Sequence, residues 1–171
     1  ACKNLCLMAL FSVVSTAAWA LSEVNGVYQI STAADLEEFA VLVNDGNVTA
    51  NAVLMTDVDR GIDGTMIGTE TNPYQGTFDG QGHTIRNLTV NQSEAWAMGL
   101  FGCIANTEIG NFTLENATVD GMMMTAGVVG YTYCSTVSNV KLVNGKVTAH
   151  YAEMGAEGMY GGIAGAGRGS L

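Results

Sequence analysis

From residue 50 onward, apolar and polar positions alternate in short runs, and no helical spacing of apolar residues is sustained. Val137-Ser138-Asn139-Val140-Lys141-Leu142 is typical. Such runs are about four to seven residues long, the length of a strand, and glycine punctuates them. One helix is predicted ahead of them. Ser31-Thr32 offers an N-cap, Asp35 stands three residues after Thr32, and Leu36, Phe39, Ala40, Leu42 and Val43 form one apolar face that Asn44-Asp45-Gly46 closes.

The runs recur. Residues 99–119 and 127–147 align without a gap at an offset of 28, so that Gly99, Gly102, Asn111, Leu114, Asn116 and Val119 return as Gly127, Gly130, Asn139, Leu142, Asn144 and Val147. An earlier partial copy, Ile85-Arg86-Asn87-Leu88-Thr89-Val90, matches Ile109 to Leu114, and Gly162-Ile163-Ala164-Gly165 repeats the G-x-x-G. The step from Gly127 to Gly162 is 35 residues, which predicts an insertion within 150–160. A single run cannot bury its apolar positions alone, but stacked on its equivalent in the next coil it builds a continuous core. The expected fold is therefore an all-β solenoid, a β-helix, with a short N-terminal capping α-helix. A β-sandwich is the alternative, disfavoured by the ungapped repeat. Asn111 and Asn139 are expected to stack at a corner through their side-chain amides, with glycine supplying positive φ at the turns. The helix is expected to cover one open end, where bare strand edges invite aggregation.

Three segments follow: a signal peptide at 1–20, a capping segment with the helix at 21–50, and β-helix coils at 51–171. Leu5 to Val14 is apolar, Lys3 precedes it, and Ala18-Trp19-Ala20 has the form of a signal-peptidase site. The run is too short for a comfortable membrane span. Gly165 to Leu171 ends just after a G-x-x-G, which predicts a chain truncated at its C-terminal end, with the rest of a longer polypeptide as its neighbour. The chain has 6 basic and 16 acidic residues and a net charge of −10, a balance that excludes a nucleic-acid partner. Export is expected to leave Cys103 and Cys134, either as one disulfide or as two buried thiols.

The order Tyr74-Gln75-Gly76-Thr77-Phe78-Asp79-Gly80-Gln81-Gly82-His83-Thr84-Ile85-Arg86-Asn87-Leu88, then Gly99-Leu100-Phe101-Gly102, resembles the GLUG-repeat β-helix proteins. Val43-Asn44, Leu54 to Asp59 and Ile67-Gly68 resemble their lead-in. The resemblance spans roughly residues 31–171. It implies a right-handed parallel β-helix in a large secreted or cell-surface bacterial protein, often adhesin-like; such repeats also occur in bacterial proteases that cleave immunoglobulin A.

Candidate chemistry is sparse. His83 beside Asp79 has the residue types of an acid–base pair, yet the resemblance puts both at a coil turn, bonding the backbone. His150 has no evident partner in sequence. Asp57, Asp59 and Asp63-Gly64 make calcium a minor candidate, because the spacing departs from a calcium-binding loop; no other cofactor or metal is expected. Neither H-E-x-x-H nor G-x-S-x-G occurs, and Asp59, Asp63, Asp79 and Asp120 are scattered in sequence, so no catalytic residue is assigned. Five N-x-S/T sequons begin at Asn47, Asn87, Asn91, Asn111 and Asn116; Asn111 is expected to be the corner residue and Asn87 its earlier copy. Met122-Met123-Met124 is expected between coils, as gap filler or partner patch. Tyr131 and Tyr133 alternate, which places both on one sheet face as a candidate ligand surface; Trp96, Tyr151 and Tyr160 are further aromatic candidates.

The expected function is non-enzymatic: an adhesin-like segment presenting a β-helix surface to a host-surface protein or glycan. Loops such as 122–125 and 150–160 would carry specificity. A structural stalk or a carbohydrate-active β-helix enzyme, a polysaccharide lyase or hydrolase, are the alternatives.

Overall fold

The computed structural model describes residues 21–61, 64–91, 95–150 and 159–169. The expected leader at 1–20 lies outside them. The chain winds into a parallel β-solenoid of about four turns. Coil 1 holds β3 (Asn51–Leu54) and β4 (Val58–Asp59), preceded by β1 (Ser22–Val24), β2 (Val27–Ile30) and α1 (Ala33–Asn44). Coil 2 holds β5 (Phe78–Asp79), β6 (Thr84–Arg86), β7 (Thr89–Asn91), β8 (Ala97–Met98) and β9 (Phe101–Ala105). Coil 3 holds β10 (Glu108–Glu115), β11 (Thr118–Gly121), β12 (Met124–Ala126) and β13 (Val129–Tyr133). Coil 4 repeats it as β14 (Thr136–Val143), β15 (Lys146–Ala149), β16 (Met159–Gly161) and β17 (Ala164–Arg168).

Equivalent strands stack in parallel as β7-β11-β15, β8-β12-β16 and β9-β13-β17, and the fourth face is the sheet β1-β2-β3-β5-β10-β6-β4 with β14 on β10. The long strand β10 lies over β5 with its first half, Ile109 against Phe78, and over β6 with its second, Leu114 against Ile85. The predicted copy at Ile85 is thereby corrected: it sits beneath Leu114, not Ile109. The cause is that coil 3 carries two corner asparagines, Asn111 and Asn116, so a match to one Asn was ambiguous.

Aromatic side chains from the helix and from successive coils pack together in the core. Phe39, Tyr74, Phe78, Phe101 and Phe112 are fully or almost fully buried and touch ring to ring at centroid distances of 5.2–6.4 Å. The buried Tyr74 hydroxyl lies 2.7 Å from the Thr77 carbonyl and 2.9 Å from that of Ala50, so its polar tip is satisfied.

Helix α1 closes the lower end as expected. Thr32 is the N-cap and forms a capping box with Asp35, and Leu36, Phe39, Ala40 and Val43 are buried. Arg60 fastens the helix to coil 1, donating to the Ala33 carbonyl and pairing with Glu37, which also accepts from Thr65. The hairpin β1–β2 was not foreseen. Its signal is Asn25-Gly26, both at positive φ (53° and 79°), a turn pair that matches strand twist. At the upper end Val137, Val140, Leu142 and Ile163 pack on the core and are only partly buried.

Candidate functional site

The repeat residues divide into two structural roles. The asparagines turn corners. Asn111 and Asn139 adopt φ of 59° and 52°, and Asn87, Asn116 and Asn144 adopt 57°, 55° and 52°. Asn tolerates this left-handed region better than most residues. Asn139 Nδ2 donates to Asn111 Oδ1 and Asn111 Nδ2 to Asp79 Oδ1, each at 3.0 Å. A second ladder runs from Asn144 to Asn116 (3.3 Å), to Asn87 (3.4 Å) and then to Asp59 (3.0 Å). Asn87 is thus a copy of Asn116, not of Asn111. Each ladder ends on a carboxylate, which suits an acceptor at the foot of a column of amide donors.

The repeat glycines do something else. None of Gly99, Gly102, Gly127, Gly130, Gly162 or Gly165 has positive φ; the positive φ expected of glycine at the turns is found at Gly61, Gly68 and Gly82 instead. They allow close backbone approach. A Cβ on Gly130 would lie 2.2 Å from the Met98 amide nitrogen, and one on Gly102 would lie 2.5 Å from the Gly68 carbonyl oxygen. Gly99, Gly127 and Gly165 are similarly tight, at 2.7–2.8 Å, whereas Gly162 would meet only Leu142 at 3.7 Å.

Tyr131 and Tyr133 lie on one face of β13, as expected, and line a cleft of about 390 Å³. Tyr131 stands between Cys103 below and Ala166 above, and Tyr133 between Ala105 and Arg168. Small neighbours below the tyrosines leave the floor low. The opposite wall comes from coil 1, whose Tyr74 bridges to Ile104, and consists of Glu70 and Pro73. The walls are therefore two strand spacings apart, roughly 9–10 Å. Trp96 and Met124 also line the cleft. Trp96 is 50% exposed and Tyr133 43%, so aromatic surface is held open to solvent. The Trp96 amide donates to Glu70 Oε1 at 3.0 Å, which ties the tryptophan to the carboxylate wall. Glu70 and Pro73 were missed in sequence, because the 69–73 loop carries no repeat signal.

The other candidates disperse. Tyr160 is exposed on β16, away from the cleft lining; Tyr151 lies outside the described residues, as do residues 151–158 of the insertion expected within 150–160. Met124 belongs to β12, so the methionine run reaches into a rung rather than forming a loop between coils. His83 does not pair with Asp79. Its Nδ1 lies 3.4 Å from Asp57 Oδ1, while its backbone bonds Gly80 and Thr113. Asp79 accepts from the Gln81 amide and Asn111, so its role is structural. His150 does have a partner, Asp120 Oδ1 at 2.5 Å, one coil below.

Asp57 is engaged by the Thr84 amide and by Arg86, which hold its carboxyl below the usual range, and Asp59 accepts from Asn87. Asp63 lies outside the described residues, among which no cluster of three acidic, His or Cys side chains is arranged to hold a metal. Neither cysteine expectation holds in full. Cys103 is a buried thiol, Cys134 is an exposed one, and they are not bonded to each other. Cys103 faces the cleft, while Cys134 occupies a corner at φ 47° above Asn106. Burial, and then the nearby Glu70 charge, push the Cys103 thiol up to about 12, so it is protonated at neutral pH.

The chain is 32% identical over 136 residues, 75% of its length, to Halomucin of Haloquadratum walsbyi (strain DSM 16790 / HBSQ001). The matched stretch spans 1% of that protein. No family model matches the chain, and no solved structure matches it.

Proposed function

We propose that this chain is a segment of a secreted or cell-surface, adhesin-like bacterial protein of the GLUG-repeat type, and that it acts by binding glycan rather than by catalysis. The observation that carries this reading is the aromatic cleft. Trp96 and Tyr133 offer exposed ring surface beside the half-buried Tyr131 around a low floor, and amphipathic rings suit the apolar faces and hydroxyl rims of sugars. A slot two strands wide accepts one sugar ring across and a chain of them along the strand direction. Export is supported by the leader-like residues 1–20 and by the similarity to Halomucin, whose name is that of a mucin.

Alanine at both Tyr131 and Tyr133 tests it. On a glycan array or a cell-binding assay, loss of binding by tenfold or more, with unchanged circular dichroism, is expected. Wild-type protein that retains no ligand at all supports the second reading, a stalk. That alternative draws on the two asparagine ladders, which bind each coil to the next and stiffen the rod.

A further inference from the structure

Resting on the glycan reading of this cleft, we infer that it selects oligosaccharides bearing free amino groups, with a ligand ammonium seated between Glu70 and the aromatic wall. Among the described residues that line the cleft, Glu70 is the one acidic side chain, and none is lysine or arginine. The Trp96 amide holds Glu70 Oε1, which orients the carboxylate and leaves its second oxygen for a ligand. Its charge reaches the floor, where it contributes to keeping the Cys103 thiol protonated.

A cation beside both a carboxylate and aromatic rings is held by ion pairing and by the ring quadrupoles together. A neutral sugar in the same cleft would offer the exposed Glu70 hydroxyl donors but no counter-charge. An acidic sugar would meet that carboxylate in a chain of net charge −10. The nearest cation by register is Arg168, which stands above Tyr133 on the far side from the floor, at the upper rim. The preference for an amino sugar therefore belongs to the lower half of the slot, between Glu70 and Tyr131.

The test is isothermal titration of the full chain with a glucosamine tetramer and with its N-acetylated counterpart, at about pH 6 and about 150 mM salt, where long-range attraction is screened. The two ligands share ring shape and linkage and differ in the acetyl groups that remove the charge, so the Glu70→Gln comparison isolates the charge. The amine form is expected to bind about tenfold more tightly. Glu70→Gln, which keeps an oxygen for the Trp96 amide, is expected to erase the difference, and Glu108→Gln, outside the cleft, to leave it intact. Equal affinity for the two tetramers overturns the inference and leaves the glycan reading standing. An equal loss in both variants also overturns it, since overall charge then explains the preference. Binding of neither tetramer overturns it as well, and a glycan array then decides whether the wider reading survives.

Discussion

A single asparagine at a corner does two jobs in this molecule. Asn111 takes a left-handed backbone that costs most residues about 1–2 kcal/mol, and its amide both receives a bond from Asn139 and gives one to Asp79. Replacing it with alanine removes both bonds and keeps the backbone strained. The expected loss is about 3 kcal/mol in urea unfolding, about 1 kcal/mol net for each bond and about 1 kcal/mol for the strain. Asn111→Gly relieves the strain and loses only the bonds, so it is expected to lose less. If alanine and glycine cost the same, strain at the corner is not part of the account. The glycines obey a different constraint. At Gly130 the obstacle to a side chain is the neighbouring backbone rather than φ, so a sequence repeat of Gly reveals position but not cause.

At the scale of the element, the cap matters most. Phe39 on α1 is fully buried and meets the rings of Tyr28, Tyr74 and Phe78, joining the helix to the first two coils. Phe39→Ala is expected to cost about 3–5 kcal/mol, the range for deleting a buried ring, measured by thermal or urea unfolding. A loss below about 1 kcal/mol would mean that the helix is not a structural lid. The helix was legible because its cap, its apolar face and its terminating Asn44-Asp45-Gly46 all agree. The solenoid was legible because the repeat sets strand-over-strand register, and Val137 over Ile109 and Val147 over Val119 follow from the offset alone. The register of coil 2 was not legible at its start. There β5 and β6 are separated by Gly80 to His83, and the two corner asparagines of coil 3 offered rival alignments.

For the whole molecule, carboxylates tie successive layers together. Burial alone would raise the Glu37 carboxyl, but the bonds from Thr65 and Arg60 outweigh it and hold the group below the usual range. Asp57, in coil 1, is lowered chiefly by the Thr84 amide and then by Arg86 of coil 2. A depressed folded-state pKa gives stability that is present above the unfolded value and is lost as pH falls through the folded one. The melting temperature is therefore expected to hold above about pH 4.5 and to fall steadily below it, and Glu37→Gln is expected to blunt that fall. A melting temperature that stays level down to about pH 3 would contradict these ties.

The cleft itself was half legible. Alternation put Tyr131 and Tyr133 on one face, but the coil 1 wall of Glu70 and Pro73 comes from tertiary stacking across about 60 residues of chain, which no local pattern encodes. Trp96 lends the cleft its own reporter. The chain has two tryptophans, so Trp19→Phe leaves Trp96 as the one tryptophan emitter. The most direct measurement is the fluorescence of that variant during titration with the glycans it captures on an array. A saturable change in Trp96 emission, abolished when Tyr131 and Tyr133 are replaced by alanine, is predicted. Saturating glycan binding that leaves Trp96 emission unchanged would place the binding surface elsewhere and contradict the account.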